Sequence, residues 1–177
     1  MTKADHYLKG MGKILVRIAE PNDAKQLVNL IEQVEKSNFM LFGPGERKIS
    51  IEQQMNRINA MKEEKSSAIL VAEDNGQLAG YLVAIGGNPT RAKHAVYLVI
   101  GIEESSRGQG IGTGLFTKVE EWAKDQGVHR LELTVMVHNE AGIALYKKKG
   151  FEIEGVKKHS LFIEGKYVDE YYMAKLI

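Results

Sequence analysis

A run of glycines lies near the middle of the chain, between a stretch typical of a strand and one typical of a helix. It reads Arg107-Gly108-Gln109-Gly110-Ile111-Gly112. Glycine lets the backbone turn tightly and approach a ligand with no side chain in the way. The first amides of the following helix have no partner inside the helix and lie at the positive end of its dipole. This turn therefore predicts an anion site that suits a pyrophosphate.

Two familiar nucleotide-binding patterns do not fit the glycine run. A dinucleotide-binding loop needs G-x-G-x-x-G, and the possible registers place Thr113 or Leu115 where the last glycine belongs. A Walker A loop ends in Gly-Lys-Ser/Thr, and Gly112-Thr113 lacks the lysine. The alternative is that the glycines only shape a tight connection. Glycines at alternate positions from 108 to 114 exceed what a turn requires, so we favour the phosphate site.

A second informative run, Asn139-Glu-Ala-Gly-Ile-Ala-Leu-Tyr146, is followed by Gly150-Phe151. It resembles the hallmark Asn-x-x-Ala-x-x-x-Tyr-x-x-x-Gly-Phe of the Gcn5-related N-acetyltransferase (GNAT) superfamily. Arg107-x-x-Gly110-x-Gly112 resembles that superfamily's coenzyme A signature, Arg/Gln-x-x-Gly-x-Gly/Ala. The two runs occur in the order and at about the distance expected of that superfamily. The resemblance covers roughly Ile14 to the C-terminus, because the upstream pattern also fits.

The resemblance implies an acetyl-CoA-dependent N-acetyltransferase that moves an acetyl group directly to a primary amine of a small molecule or a protein N-terminus, with coenzyme A as product. The chain has no cysteine, which agrees with transfer that has no cysteine acyl-enzyme. The implied coenzyme-binding residues are Ile100, Gly101 and Ile102 through their backbone, Arg107, Gly108, Gln109, Gly110, Ile111, Gly112 and Thr113 at the pyrophosphate, Asn139 at the pantetheine arm, and Tyr146 near the sulfur.

Tyr146 is the implied catalytic residue, which would protonate the departing thiolate. A hydroxyl can do this, and a backbone N–H aimed at the acetyl carbonyl would lower the barrier to its tetrahedral state. Tyr146 follows Ile143 by three residues, as a core residue on the apolar face of a helix also would. Asn139 suits an N-cap, and it can cap the helix and contact the coenzyme through separate atoms. Lys148 is a candidate for the coenzyme's 3′-phosphate, although a lysine run is usually a solvated face.

The general base is left open by the sequence. Ribosomal-protein alanine acetyltransferases of this superfamily carry a Glu where this chain has Thr134, which cannot serve as a base. Glu103 and Glu104 precede the glycine run but suit a solvated surface. His94 and His138 have a suitable intrinsic pKa, yet a lone histidine near a strand end is more often structural. A chain of waters is an equal alternative.

The acceptor pocket is expected between the loop Phe39–Arg47 and the C-terminal hairpin around Phe162–Tyr172. Candidate acceptor-binding residues, chosen by location, are Phe42, Glu46, Arg47, Tyr167 and Tyr171. A glutamate there would attract a cationic amine, and an arginine a carboxylate. The sequence does not decide between an amino acid, a polyamine, an aminoglycoside and a protein N-terminus.

The elements that must position these residues follow the order β-α-α-β-β-β-α-β-α-β-β. We predict an α/β (α+β) fold, with a central mixed, mostly antiparallel sheet of about seven strands flanked by helices, and the resemblance adds a splayed strand pair that holds acetyl-CoA. Apolar periodicity and turn residues delimit the elements. Strands are predicted at Ile14–Ile18, Ala68–Glu73, Gln77–Ile85, Ala95–Ile102, Leu131–Val137, Phe151–Val156 and Tyr167–Leu176, and the better-defined helices at Leu27–Val34, Ile51–Met61, Thr113–Gln126 and Asn139–Lys149.

Local signals sharpen some of these boundaries. Two capping boxes are predicted, at Asp23 with Gln26 and at Ser50 with Gln53. The turn at residues 74–76, Asp-Asn-Gly, predicts a hairpin. The strand Ala95–Ile102 is apolar almost throughout, which predicts burial on both faces.

Composition bounds the remaining possibilities. The chain has 177 residues, 44% of them hydrophobic, and a net charge of +1, which predicts one globular domain over 13–177 and no nucleic-acid or membrane partner. Residues 1–12 are polar and are predicted to form a flexible arm. The absence of cysteine excludes disulfides and cysteine-ligated zinc, and no metal is predicted. We expect a cytoplasmic protein, leave a homodimer open, and keep a non-catalytic acyl-CoA-binding regulatory module as the alternative function.

Overall fold

Strands and helices alternate along the part of the chain described by the computed structural model, which is the backbone of residues 6–7 and all of residues 14–177. The strands are β1 (His6–Tyr7), β2 (Ile14–Ile18), β3 (Ala68–Asp74), β4 (Gln77–Gly86), β5 (Ala95–Ile102), β6 (Arg130–Met136), β7 (Glu152–Ile163) and β8 (Lys166–Leu176). The helices are α1 (Ala24–Glu35), α2 (Ile51–Glu63), α3 (Ile111–Asp125) and α4 (Glu140–Lys148). Among the residues described, no helix is both long and apolar enough to cross a membrane.

The strands form one mixed sheet in the order β1-β2-β3-β4-β5-β6-β8-β7. Its one parallel pair is β5 with β6, and that pairing ends where Tyr97 faces Glu132. Beyond this point β5 stays paired with β4 as far as Ile102, while β6 stays paired with β8 as far as Met136. Because each strand follows its outer neighbour, the two diverge and open a gap in the sheet.

The two faces of the sheet carry separate apolar cores. One face packs against α3 and α4, where Leu115, Phe116 and Tyr146 lie among the buried strand residues. The opposite face packs against α1 and α2, where Leu27, Ile31 and Ile58 are buried. Both predicted features of the fold, a mixed, mostly antiparallel sheet and flanking helices, are confirmed.

Three predicted details are corrected. Asp23 does not cap α1, because its carboxylate accepts hydrogen bonds from the Arg17 guanidinium at 2.7 and 2.9 Å, and the side chain of Gln26 bonds the β3–β4 hairpin instead. The strand predicted to end at Val156 continues to Ile163 across a bulge. β5 is only partly buried rather than covered on both faces, since it borders the gap in the sheet.

Other local signals hold. Ser50 and Gln53 make the predicted capping box at the start of α2. The hairpin turn between β3 and β4 has Asn75 and Gly76 at positive φ, as a two-residue turn requires. β1 falls within the predicted N-terminal arm and pairs with β2. Residues 1–5 and 8–13 lie outside the described residues, so the flexible arm stays a prediction.

Candidate active site

The gap between β5 and β6 continues into a cleft of about 810 Å³, within the range of small-molecule sites. Its walls come from the free end of β5, the start of α3, the end of β6, the start and inner face of α4, and the loop between α1 and α2 (residues 36–50). The two predicted motifs therefore meet at one cleft, although they lie about thirty residues apart in the chain.

The coenzyme end of the cleft, which we define as residues 100–113, is built mainly from backbone. Gly108 and Gly110 have φ of 75° and 80°, in the left-handed region where glycine is favoured. Gly110 is the N-cap of α3, and no side chain caps this helix. The first intrahelical bond runs from the Gly114 N–H to the Gly110 oxygen at 3.0 Å, so the preceding amides of α3 have no partner within the helix.

Gly112 is a glycine because of packing. A Cβ there would lie 2.6 Å from Leu145 Cδ2 and 3.1 Å from Ile102 Cδ1. The absence of a side chain lets α3 start close to α4 and to the end of β5. As a result α3 begins two residues earlier than the predicted Thr113, and it includes Gly112 and Gly114 despite their low helix propensity.

Basic side chains flank the helix start. Arg107 lines the cleft, and its Nε donates to the Ile102 oxygen at 3.4 Å. Lys148 also lines the cleft, whereas Lys149 donates to Thr117 Oγ1 at 3.2 Å and lies 3.9 Å from Glu120. Gln109 alone among the predicted coenzyme residues lies outside the cleft wall, since its side chain donates to the Ser105 oxygen at 3.3 Å.

The free end of β5 forms the floor of the coenzyme end. Ile100, Gly101 and Ile102 line the cleft on the side where β6 has diverged. Gly101 is held against the ring of Tyr81, and a Cβ there would lie 2.5 Å from the Tyr81 ring. Tyr81 is 2% exposed, and burial raises its pKa to about 12. A rigid aromatic support therefore fixes the strand end that the coenzyme is expected to contact.

Asn139 caps α4 and also borders the cleft, and its contact with the coenzyme stays a prediction. Its Oδ1 accepts a hydrogen bond from the Gly142 N–H at 3.0 Å and caps α4, while the residue lines the cleft. A Cβ on Gly142 would come within 2.7 Å of Asn139 Nδ2, so glycine at 142 leaves room for this cap. The cap uses the oxygen and leaves the amide nitrogen for a ligand.

Tyr146 belongs both to the core and to the cleft wall. Its ring packs edge-on against Phe116 with centroids 5.7 Å apart, and only 8% of the residue is exposed. Burial raises the pKa of its hydroxyl above the ordinary value, and nearby Tyr97 contributes in the same direction. The hydroxyl therefore stays protonated at neutral pH, which is the form a proton donor needs.

The opposite end of the cleft, the acceptor end, is built from side chains of distant segments. Phe39 of the α1–α2 loop packs against His138 with ring centroids 5.5 Å apart. The hydroxyls of Tyr97 and Thr134 lie 2.7 Å apart and bridge β5 and β6 where they diverge. Glu170 of β8 also lines the cleft and is 8% exposed. Phe39 and Glu170 lie in the two segments that the sequence predicted to build the acceptor pocket, although neither was singled out, and Tyr97 was missed, because no local motif contains these residues.

The residues predicted to bind the acceptor lie outside the cleft wall. Arg47 forms an ion pair with buried Glu35 and lies over the Phe42 ring, 4.2 Å from its centroid. Glu46 accepts a hydrogen bond from the Gly43 N–H at 2.8 Å, which stabilises the loop itself. Tyr171 points to the other face of the sheet, where it packs against the core beneath α3.

The candidate bases are also separated by the structure. His138 and Thr134 line the cleft. Glu103, Glu104 and His94 lie outside its wall. Glu103 instead begins the short turn before the glycine run, where its carboxylate accepts from the Ser106 hydroxyl at 3.4 Å.

Comparison with known proteins agrees with this geometry. Residues 31–151 match the Acetyltransferase (GNAT) family. An L-amino acid N-acetyltransferase of Escherichia coli K12 is 36% identical over 111 residues, which are 60% of this chain and 67% of that protein. This chain matches only part of three further N-acetyltransferase relatives, and it covers 55%, 40% and 57% of their respective lengths.

Solved structures show the same fold. An acetyltransferase of the GNAT family from Streptococcus pneumoniae superposes with a TM-score of 0.89 at 33% identity, covering 93% of this chain and 99% of that one. A phosphinothricin acetyltransferase from Sinorhizobium meliloti in complex with acetyl-CoA has a TM-score of 0.80 at 22% identity, covering 93% and 88% of the two chains, and shows the fold alone.

The divergent strand pair, the uncapped glycine-rich helix start and the cleft that joins them are the features expected of an acyltransferase of this fold. The chain belongs to the acetyltransferase (GNAT) family, and relatives that it matches are named as N-acetyltransferases.

Proposed function

We propose that this cleft transfers an acetyl group directly from acetyl-CoA to the primary amine of a small molecule or of a protein or peptide N-terminus, and releases coenzyme A. One observation carries the proposal: the uncapped start of α3, the open edge of β5 and Tyr146, with its hydroxyl, all belong to the wall of the same cleft. The first two suit a pyrophosphate and an acyl-pantetheine arm, and the third suits a thiolate leaving group.

Backbone groups carry most of the coenzyme binding in this proposal. The free amides at residues 111–113 and the basic side chains of Arg107 and Lys148 would meet phosphate groups. Asn139 Nδ2 would donate to the pantetheine arm, since Oδ1 is occupied by the helix cap. A backbone N–H at the free end of β5 would polarise the acetyl carbonyl.

Tyr146 would supply the proton that the departing thiolate takes up. The amine attacks the acetyl carbon, the C–N bond forms and the C–S bond breaks. The thiolate takes the Tyr146 proton, and the phenolate is reprotonated by the nitrogen of the new amide. The position of Tyr146 on the cleft wall supports this assignment, and its raised pKa keeps the hydroxyl protonated before the reaction.

The acceptor end favours a small amine with an apolar part. Phe39, Met40 and Leu41 present apolar surface to the cleft, whereas its polar groups include Glu170, His138 and the hydroxyls of Tyr97 and Thr134. The Escherichia coli relative is named for L-amino acids, so free amino acids come first among the acceptors to be tested. A cytoplasmic location and a homodimer stay predictions.

The test measures thiol release from acetyl-CoA with a panel of L-amino acids, N-terminal peptides and polyamines. We expect turnover with one class of amine and no thiol release without an acceptor. Tight binding of acetyl-CoA by calorimetry, together with no turnover across the panel, would contradict the proposal and support the alternative of a non-catalytic acyl-CoA-binding module.

A further inference from the structure

The chemistry of the cleft requires a group that takes a proton from the acceptor. A side-chain-like primary amine has a pKa of about 10.4 and a peptide α-amine one of about 7.7–8.0, so most of either amine is protonated and cannot attack at pH 7. The carboxylates and imidazole that line the cleft within the described part of the chain belong to Glu170, Glu140 and His138. Of these, Glu140 and His138 are exposed, and only Glu170 is buried.

Glu170 reaches the cleft because of strand register. It lies opposite Met136 on β6, beyond the point where β6 has left β5, and it alternates with Tyr171, whose side chain packs on the other face. The same alternation places Glu170 on the face of the sheet where Thr134 and Tyr97 are bridged. The carboxylate therefore faces the gap from the side opposite α3.

The two oxygens of Glu170 have different surroundings. Oε2 accepts a hydrogen bond from the Ser160 hydroxyl at 2.8 Å and lies 3.7 Å from Lys157 Nζ. Oε1 accepts no hydrogen bond from the described residues. It is also not fully buried, so a ligand or water can reach it. One oxygen is thus held in place, while the other has no hydrogen-bond partner among the described residues.

Both partners of Oε2 come from β7: Lys157 lies directly opposite Glu170, and Ser160 lies in the bulge that follows. Lys157 pairs with Glu170 and Leu161 pairs with Val168, so β7 carries two extra residues over this interval. His159 adopts a left-handed φ of 50° within the bulge, and its N–H donates to Asp169 Oδ1 at 2.7 Å. Such a backbone costs free energy and is usually found where it re-aims a side chain near a functional site. Here it turns Ser160 towards Glu170.

We propose that Glu170 is the general base, and that Oε1 takes a proton from the acceptor ammonium; this inference rests on the proposed function. The neutral amine then attacks the acetyl carbon, and coenzyme A leaves with the proton from Tyr146. The nitrogen of the amide returns a proton to Tyr146, and Glu170 releases the acceptor's first proton to solvent. The sum is an ammonium and acetyl-CoA giving an N-acetyl amine, coenzyme A and one proton.

The titratable groups around Glu170 set the conditions of the test. Lys157 faces it from β7, and His138, Glu140 and Tyr97 border the same cleft from the end of β6, the start of α4 and β5. Glu140→Gln serves as the matched control, because it changes the other glutamate of the cleft wall in the same way. Wild type and both variants are first shown to bind acetyl-CoA with equal affinity.

The experiment measures kcat/KM of wild type, Glu170→Gln and Glu140→Gln between pH 6.5 and 9.5, with the best amine from the panel. At pH 7 we expect Glu170→Gln to lose about 100-fold and Glu140→Gln to stay within about twofold. The loss in Glu170→Gln should shrink by up to about tenfold per pH unit, because the fraction of neutral amine in solution rises by that factor. A merely structural role would give the same loss at every pH.

Each remaining outcome decides the matter. An equal loss at all pH values, or a change in KM alone, would overturn the general-base assignment. If the wild type turns over and Glu170→Gln has the same kcat/KM, this inference is overturned and the proposed function stands. If the wild type shows no turnover with any amine, both are overturned. If Glu170→Gln does not fold, Ser160→Ala decides, since loss of the hydrogen bond that holds the carboxylate must lower kcat/KM at pH 7 by a factor that shrinks as pH rises; an unchanged kcat/KM at pH 7, or the same loss at every pH, would contradict the proposal.

Discussion

The two ends of the cleft are built in different ways. At the coenzyme end, left-handed glycines and an uncapped helix start present main-chain groups, and their positions depend on the packing of α3 against α4 and β5. At the acceptor end, side chains from the α1–α2 loop, β5, β6 and β8 converge, as in the Phe39–His138 and Tyr97–Thr134 contacts. A main-chain site changes little when side chains change, whereas a side-chain site changes with each substitution. Substitutions at the acceptor end can therefore change the specificity for the amine while the coenzyme site stays the same.

The largest expected effect tests the backbone character of the coenzyme end. Gly110→Glu places bulk and a negative charge at the start of α3, where pyrophosphate is expected. Like charges in contact cost several kcal/mol, so acetyl-CoA affinity should fall by about 1,000-fold. Calorimetry measures this loss.

The control for that variant is Gly165→Glu. Gly165 lies in the turn between β7 and β8 with a φ of 78°, and there is open space around its Cβ position. The substitution there therefore imposes a similar backbone strain, but far from α3. It should leave coenzyme affinity unchanged. Equal affinity losses in the two variants would mean that strain, rather than the anion site, explains the effect.

At the acceptor end, replacing Arg47 tests whether this residue stabilises the loop between α1 and α2 or contacts the substrate. Arg47→Ala leaves the carboxylate of Glu35, which is 1% exposed, without its ion-pair partner. Breaking a buried pair costs about 3–5 kcal/mol, and urea denaturation should show that loss in the free energy of unfolding.

Lys62→Ala is the comparison for Arg47→Ala. Lys62 pairs with Glu20 at an exposed site, so its removal should cost less than about 1 kcal/mol. Unchanged stability of Arg47→Ala together with a raised KM for the acceptor would instead support the substrate-binding role predicted from the sequence.

Tyr146 lies where the two ends meet. Tyr146→Phe removes the proposed proton donor and keeps the ring that packs against Phe116. We expect kcat to fall by about 100-fold with little change in acetyl-CoA affinity. Tyr171→Phe, which alters a tyrosine packed on the same core outside the cleft wall, should leave kcat unchanged. An unaltered rate in Tyr146→Phe would leave Tyr146 as a core residue only.

The smallest expected effect concerns the support under Gly101. Burial raises the pKa of Tyr81 from 10.0 to about 12, so the native protein holds this proton more tightly than the unfolded chain does. The corresponding stability is complete below pH 10 and is lost as pH rises towards 12. Between pH 8 and pH 11 we expect Tyr81 to account for a loss of about 1 kcal/mol. Urea titrations of wild type and Tyr81→Phe measure it, and equal pH dependence in both would contradict the assignment.

Sequence alone predicted most of the coenzyme end, because its determinants are local. The glycine run and the Asn139 cap depend on residues a few positions apart, and the structure places both on the cleft. The start of α3 was predicted two residues too far along the chain, because helix propensity disfavours Gly112, whereas in the structure Gly112 lies inside the helix and packs closely against Leu145.

The acceptor end could not be predicted in the same way. Glu170 faces the cleft only because of the register between β6 and β8, and Ser160 reaches it only through the bulge in β7. Arg47 has the right charge and the right loop for a substrate contact, but a buried carboxylate twelve residues earlier holds its guanidinium. Long-range pairing decides such positions, and no local pattern records it.

A crystal structure of the chain with a non-reactive acetyl-CoA analogue and the acceptor found in the amine panel tests the central claim most directly. The account predicts the pyrophosphate within hydrogen-bonding distance of the amides at residues 111–113, and the acceptor nitrogen within hydrogen-bonding distance of Glu170 Oε1. A pyrophosphate bound away from α3, or an acceptor that enters from the α3 face of the sheet, would contradict it.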